Sequence, residues 1–376
     1  MSEARELLES GKPLGSHEIP GELIDVRTEE RFDEAVLADY LRDKLEGADR
    51  PLAVRQFPGG HANLTYLLRF GGNGGRNASD AAIEYVLRRP PLGPVAKSSH
   101  DMHREYRALS KLWQEFPLAP RAFLYCDDES IIGAEFVVME RRRGVVVRGA
   151  VPEVFGSGND PVANRKLSEV VVGCLADFHA VDPVSVGLEE LGKPDGFLER
   201  QVKGWAGRYE RAKTDDAGVA GEVANWLLTN LPPSPRASMV HNDWKLDNMA
   251  IAETDPGRCV AVYDWDMCTI GDPLCDLGTL LGLWSDLGES VAGSNPMPTQ
   301  AKGFMSRNEA VAFYTDRSGL DSKAVPYYVV FGTFKMAVVL QQIYFRYHNG
   351  QTSDERFAGL GKLAEGLFRL ASERRD

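Results

Sequence analysis

The chain has 376 residues, 43% hydrophobic and 26% charged, with a formal net charge of −12; this is ordinary soluble composition, and the length predicts a large core and two lobes. The acidic balance argues against nucleic acid or an anionic membrane as a partner, because both select basic patches. Five cysteines without CxxC spacing and seven scattered histidines offer neither a disulfide framework nor a zinc site.

Residues 1–30 are polar and punctuated by glycine and proline. The start, Met1-Ser2-Glu3-Ala4-Arg5-Glu6, lacks a signal-peptide core, and no apolar run approaches bilayer length, so a cytoplasmic chain is expected. An amphipathic helix is predicted over Phe32 to Leu45, with Val36, Leu37, Tyr40 and Leu41 on its apolar face.

A strand-rich region follows. Pro51 to Phe57, Thr65 to Phe70 and Ile83 to Arg89 read as strands, and Gly71 to Asp80 reads as a hairpin tip. The turn Pro58-Gly59-Gly60-His61-Ala62-Asn63 is the better candidate for a phosphate loop. Gly59 and Gly60 let backbone N–H groups approach phosphate, and Asn63 fixes the turn. A Gly-Gly hairpin is a weak sign alone, and no GxxxxGK[ST] motif points to a P-loop. Alternation along the third strand puts Arg88 on the face of Val86 and Arg89 opposite. A helix near His100 to Phe116 carries Met102, Tyr106, Leu109 and Leu112 as a stripe, with Glu105 beside it. Phe136 to Glu140 reads as the last strand, and Arg141-Arg142-Arg143 follows it.

Beyond Gly144 the pattern turns helical, over Leu167 to Val181, Phe197 to Lys213, Gly221 to Leu231, Leu274 to Leu287 and Ser322 to Tyr347. Two acidic motifs interrupt it, each led by a short apolar strand: His241-Asn242-Asp243-Trp244-Lys245-Leu246-Asp247-Asn248 and Asp264-Trp265-Asp266. Their spacing fits phosphoryl transfer. That chemistry needs an acceptor oxygen in line and phosphate charge neutralised, largely by Mg²⁺, which takes oxygen ligands. Asp243 is the expected general base, Asn248 and Asp264 the expected metal ligands, and Lys245 a point charge for the transferred phosphoryl group.

These motifs, with Gly271-Asp272-Pro273-Leu274-Cys275-Asp276-Leu277-Gly278, resemble the aminoglycoside phosphotransferase and choline kinase group of protein-kinase-like enzymes. The likeness runs from about Gln56 to the Arg346 region and is strongest to the branch also found fused to acyl-CoA dehydrogenase domains. It departs at Asn242, where the group usually has glycine; Asn tolerates a left-handed backbone nearly as well. The resemblance implies an α+β, protein-kinase-like two-lobed fold. Its expected parts are a 1–49 extension, a β-rich nucleotide-binding lobe over 50–143 and a helical catalytic and substrate lobe over 144–376, with ATP in the cleft between lobes.

It further implies that Arg88 takes the place of the kinase lysine on nucleotide phosphates with Glu105 as its partner, and that backbone around Met139, Glu140 and Arg141 meets adenine. Asp276 is expected to cap the catalytic-loop backbone, and His179 to be structural. The implied reaction transfers the ATP γ-phosphoryl group, with Mg²⁺, to a hydroxyl of a small molecule such as a hydroxyacyl compound, whose anionic handle Arg141 to Arg143 would meet. A nucleotide-binding pseudoenzyme and an aminoglycoside-type antibiotic kinase remain the alternatives.

Overall fold

The computed structural model describes residues 22–58, 63–72, 82–91, 101–214, 218–287, 289 and 297–375. Contacts divide the chain into two units, residues 1–95 with 126–138 and residues 96–125 with 139–376.

In the first unit the side chain of Asp33 accepts from the backbone N–H groups of Ala35 and Val36 and so starts α1 at Glu34. The helix ends at Leu41, short of the predicted Leu45, and buries Leu37 and Leu41. Strands β1 (Leu52–Gln56), β2 (Leu64–Phe70) and β3 (Ile83–Arg89) form an antiparallel meander in which Thr65 faces Arg88 and Leu64 faces Arg89. Their sheet continues through β5 (Phe136–Glu140) to β4 (Ala122–Cys126), in the order β1-β2-β3-β5-β4. β4 was not predicted. Burial alternates along it, with Ala122 and Cys126 in and Phe123 out, but all five residues are apolar or aromatic, so the sequence shows no alternation.

Arg89 anchors this unit. Its guanidinium donates to the carbonyls of Ile132 and Glu30 at 2.7 and 2.8 Å and lies over the rings of Phe32 and Tyr66. A buried guanidinium is tolerable only with such acceptors.

The second unit holds helices α2 (Met102–Leu112), α3 (Pro161–His179), α4 (Phe197–Ala212), α5 (Gly218–Thr229), α6 (Leu274–Leu283), α7 (Arg307–Ser318), α8 (Val325–His348) and α9 (Leu360–Glu373). It also contains β6 (Val145–Val146) beside the β8 (Met249–Ala252) and β9 (Asp255–Val262) hairpin, and a β7 (Ser238–Val240) and β10 (Thr269–Gly271) pair. α7 and α9 were not predicted; α7 buries only Ala310 and Tyr314, too thin a stripe to stand out.

The expectation that no apolar run reaches bilayer length needs one correction. α8 is 24 residues long and apolar enough to span a membrane by length and composition. Tyr328, Val330, Phe331, Phe334, Ala337 and Val338 are buried by neighbouring helices, so it serves as a core helix. Its crossing with α6 is backbone to backbone, because a Cβ on Gly278 would come 2.2 Å from the Tyr328 carbonyl oxygen and one on Gly332 would come 2.1 Å from that of Gly278.

Candidate active site

Two short antiparallel pairings bring the acidic motifs together. β7 ends at Val240, opposite Thr269, and delivers His241; in the hairpin Met249 faces Val262, so Asn248 and Tyr263 meet just beyond the ladder. The Tyr263 N–H donates to the Asn248 carbonyl at 2.7 Å, and the imidazole Nε2 of His241 donates to the Tyr263 carbonyl at 2.9 Å. The Asp243 N–H donates to Nδ1 of the same ring, which sets its tautomer. His241 therefore ties the two motifs together.

Below this loop lies an aromatic block. Trp244 stacks on Phe178 with centroids 5.7 Å apart, and Trp265 meets Phe178 edge-on at 5.2 Å. Both indole N–H groups are satisfied, by the carbonyls of Val171 and Val262. The tryptophans of the two motifs are thus buried anchors, a role the motif reading overlooked.

The loop is strained where the chemistry is expected. Asn242 and Asp264 both have φ of +68°, which costs a residue with a Cβ free energy that its surroundings must offset. At Asn242 the offset is visible, since its side chain donates to the Met267 carbonyl and its own N–H donates to Asp276. Asp276, fully buried at the start of α6, accepts from the N–H of His241 at 2.6 Å and of Asn242 at 2.7 Å, as expected for a cap of this loop. Burial alone would raise its pKa, but the His179 hydrogen bond and the neighbouring His241 hold it below the usual carboxylate value.

His179 is structural, as the sequence suggested. Burial lowers its pKa, so the ring is neutral, with Nε2–H toward Asp276 and Nδ1 accepting from the Tyr314 hydroxyl at 2.7 Å.

The Asp243 carboxylate accepts from the Lys245 ammonium at 2.8 Å and from Asn248 Nδ2 at 2.9 Å. Burial opposes the charge on Lys245, but Asp243 beside it wins and its pKa lies above the ordinary lysine value. Because the amide nitrogen of Asn248 is spent on Asp243, its oxygen is the atom left to face a ligand. Among the described residues no three His, Cys, Asp or Glu side chains cluster as a self-sufficient metal cage. A divalent ion here would rest on the Asn248 oxygen, the Asp264 carboxylate and substrate oxygens, the pattern typical of Mg²⁺.

The other expected residues are distributed along the chain. Arg88, on β3, and Glu105, on α2, are buried in the first and second units respectively. Asn63 is buried at the start of β2, while Gly59 and Gly60 lie outside the described residues. The Glu140 carboxylate takes the Arg142 guanidinium at 2.9 Å, so that cation of the arginine run is spent on its own strand end. Lys335 was not singled out in the sequence, although it lies in the helix predicted over Ser322 to Tyr347. Its ammonium reaches from α8 to donate to the Asn242 carbonyl.

A model of the phosphotransferase enzyme family matches residues 53–304, well over half of the chain. The chain belongs to that family. It is a phosphotransferase of the protein-kinase-like fold, as the motifs implied. Among its relatives, acyl-CoA dehydrogenase family member 11 of Gallus gallus is 33% identical over 358 residues, covering 91% of this chain and 43% of that protein. The chain spans less than half the length of such relatives. Among solved structures, a candidate aminoglycoside phosphotransferase from Ralstonia eutropha has a TM-score of 0.77 at 28% identity, covering 92% of this chain and 98% of the other. Choline kinase from Cryptosporidium parvum shares the fold at a TM-score of 0.59 and 10% identity, covering 91% of this chain and 95% of its own.

Proposed function

We propose that this phosphotransferase moves the γ-phosphoryl group of ATP to the hydroxyl of a small molecule, with Mg²⁺. The observation that carries the reading is the Asp243 carboxylate held by Lys245 and Asn248 beside the strained Asp264 turn. In this reaction the acceptor oxygen bonds to the γ-phosphorus as the bond to the β–γ bridging oxygen breaks, and ADP leaves with that electron pair. The acceptor proton passes to Asp243, whose carboxylate is kept in place by two donors. Lys245 is near enough to follow the transferred group as a positive charge. Asn248 and Asp264 would hold Mg²⁺, which when bound neutralises phosphate charge.

Residues 50–143 serve as the nucleotide-binding part in this reading, with Gly59, Gly60, Asn63, Arg88, Glu105 and the Glu140 strand end on the ATP side; residues 144–376 supply catalysis and the acceptor. A hydroxyacyl compound is the first acceptor to screen, because named relatives of this chain are acyl-CoA dehydrogenase family proteins.

The experiment is ADP release by the wild-type chain and by Asp243→Asn with MgATP and an alcohol panel. The variant should fold and bind ATP normally while turnover falls about 10²–10⁴-fold. Near wild-type turnover in the folded variant would refute the general-base role. Asp264→Ala should lose Mg²⁺-dependent ATP binding in titration calorimetry while keeping its fold, and unchanged affinity would remove Asp264 from the metal site.

A further inference from the structure

The second unit carries a buried indole N–H without an acceptor, with two cations beside its ring, next to the loop that holds Asp243. Trp205 on α4 is 5% exposed, and its indole N–H is buried with no partner among the described residues. The Arg208 guanidinium, one turn along, lies 4.3 Å from the centroid of that ring, and the Lys335 ammonium approaches the same ring at 5.6 Å. Among the described residues Arg208 and Lys335 form no ion pair; the hydrogen bond of Lys335 goes to the neutral Asn242 carbonyl.

The carboxylates near Lys335 are committed elsewhere. Asp276 is spent on two backbone N–H groups and His179, and Asp243 on Lys245 and Asn248. Burial accordingly draws the pKa of both cations below their ordinary values, with Arg211 adding to the effect at Arg208. Two cations without an ion-pair partner among the described residues, beside an indole whose own N–H lacks an acceptor, form an incomplete electrostatic arrangement.

We propose that Trp205, Arg208 and Lys335 form the acceptor subsite of this enzyme and bind an oxyanion, carboxylate or phosphate, on the alcohol to be phosphorylated. The assignment rests on the kinase reading above, because the link to the acceptor runs through the Asn242 carbonyl, one residue before the proposed base. The geometry suits an anion in three ways. Arg208 supplies a planar fork and Lys335 a point charge, while the Trp205 face orients the Arg208 fork by stacking. A cationic amine would meet two positive charges here that no ion pair among the described residues neutralises. The subsite thus discriminates by repulsion as well as by attraction.

The test is titration calorimetry of the full chain without nucleotide, so that the outcome does not depend on phosphoryl transfer. The probes are glycerate, glycerol 3-phosphate, glycerol and choline. Wild type should bind one or both anions and bind neither glycerol nor choline; which anion binds tells carboxylate from phosphate. Arg208→Gln and Lys335→Gln should each weaken anion binding at least about tenfold, as expected for loss of a charge-assisted hydrogen bond, and Lys335→Arg should recover part of it. Arg208→Gln is the decisive variant, since Arg208 does not touch the catalytic loop. Choline binding tighter than the anions, equal anion binding by wild type and Arg208→Gln, or no binding of either anion would overturn the proposal. ADP release with and without Asp243→Asn reports on the kinase reading separately.

Discussion

Asp276 and His179 show how a buried pair can hold a strained loop. Both oxygens of Asp276 are engaged by backbone, so Asp276→Ala leaves the N–H groups of His241 and Asn242 buried and unpaired. Each orphaned donor costs about 1–3 kcal/mol; chemical denaturation should show that loss, and kcat should fall as Asn242 relaxes from its left-handed backbone. The pH dependence follows from the shifts. His179 has a folded pKa below its ordinary value, so between that value and about 6.5 the unfolded chain binds more protons than the folded one. Its contribution is complete above about pH 6.5 and is lost as the pH falls through this window. Asp276, with a depressed pKa, contributes above about pH 4 and loses its contribution below that, so the two effects separate on the pH axis. Urea midpoints at about pH 8 and about pH 5.5 should differ more for wild type than for His179→Gln. Equal differences would remove His179 as the source.

At the scale of elements, the α6 and α8 crossing sets the position of Lys335 over the loop. Gly278 and Gly332 let the two backbones touch, and a methyl group at either site would strike backbone, which cannot swing aside. Gly332→Ala should destabilise the chain by at least about 1–3 kcal/mol, the usual cost of overpacking. It should also move Lys335 from Asn242, so catalysis should fall further than folding alone explains. A variant with wild-type melting temperature and kcat would show that the helices can part without consequence. The helices read from sequence were those with a broad apolar stripe, such as α4 and α8. α7 shows what that reading missed, for its Ser306 and Glu309 form a capping box spelled out in the sequence, while its apolar face is narrow. α9 buries Ala364, Leu367, Phe368 and Ala371 at helical spacing, a stripe diluted by two alanines.

At the scale of the whole molecule, a ligand that binds only the folded chain stabilises it by mass action. If ATP is the donor, MgATP at about a hundred times its Kd adds about 2.7 kcal/mol and raises the melting temperature, and chelating the metal or replacing Asp264 abolishes the rise. A rise that survives chelation would detach the metal from nucleotide binding. The sequence by itself determined the local features of this protein: the two acidic motifs, the strands that lead into them, the left-handed tolerance of Asn242 and the resemblance to kinases of small molecules. These are encoded within a few residues, where strand pattern and motif spacing suffice. Only the tertiary structure decided that Trp244 and Trp265 are core anchors, that Arg89 is spent on the Ile132 and Glu30 carbonyls, and that Lys335 grips the loop from 93 residues away. The physical reason is that a buried donor takes its meaning from the acceptor it meets, and that acceptor is chosen by packing.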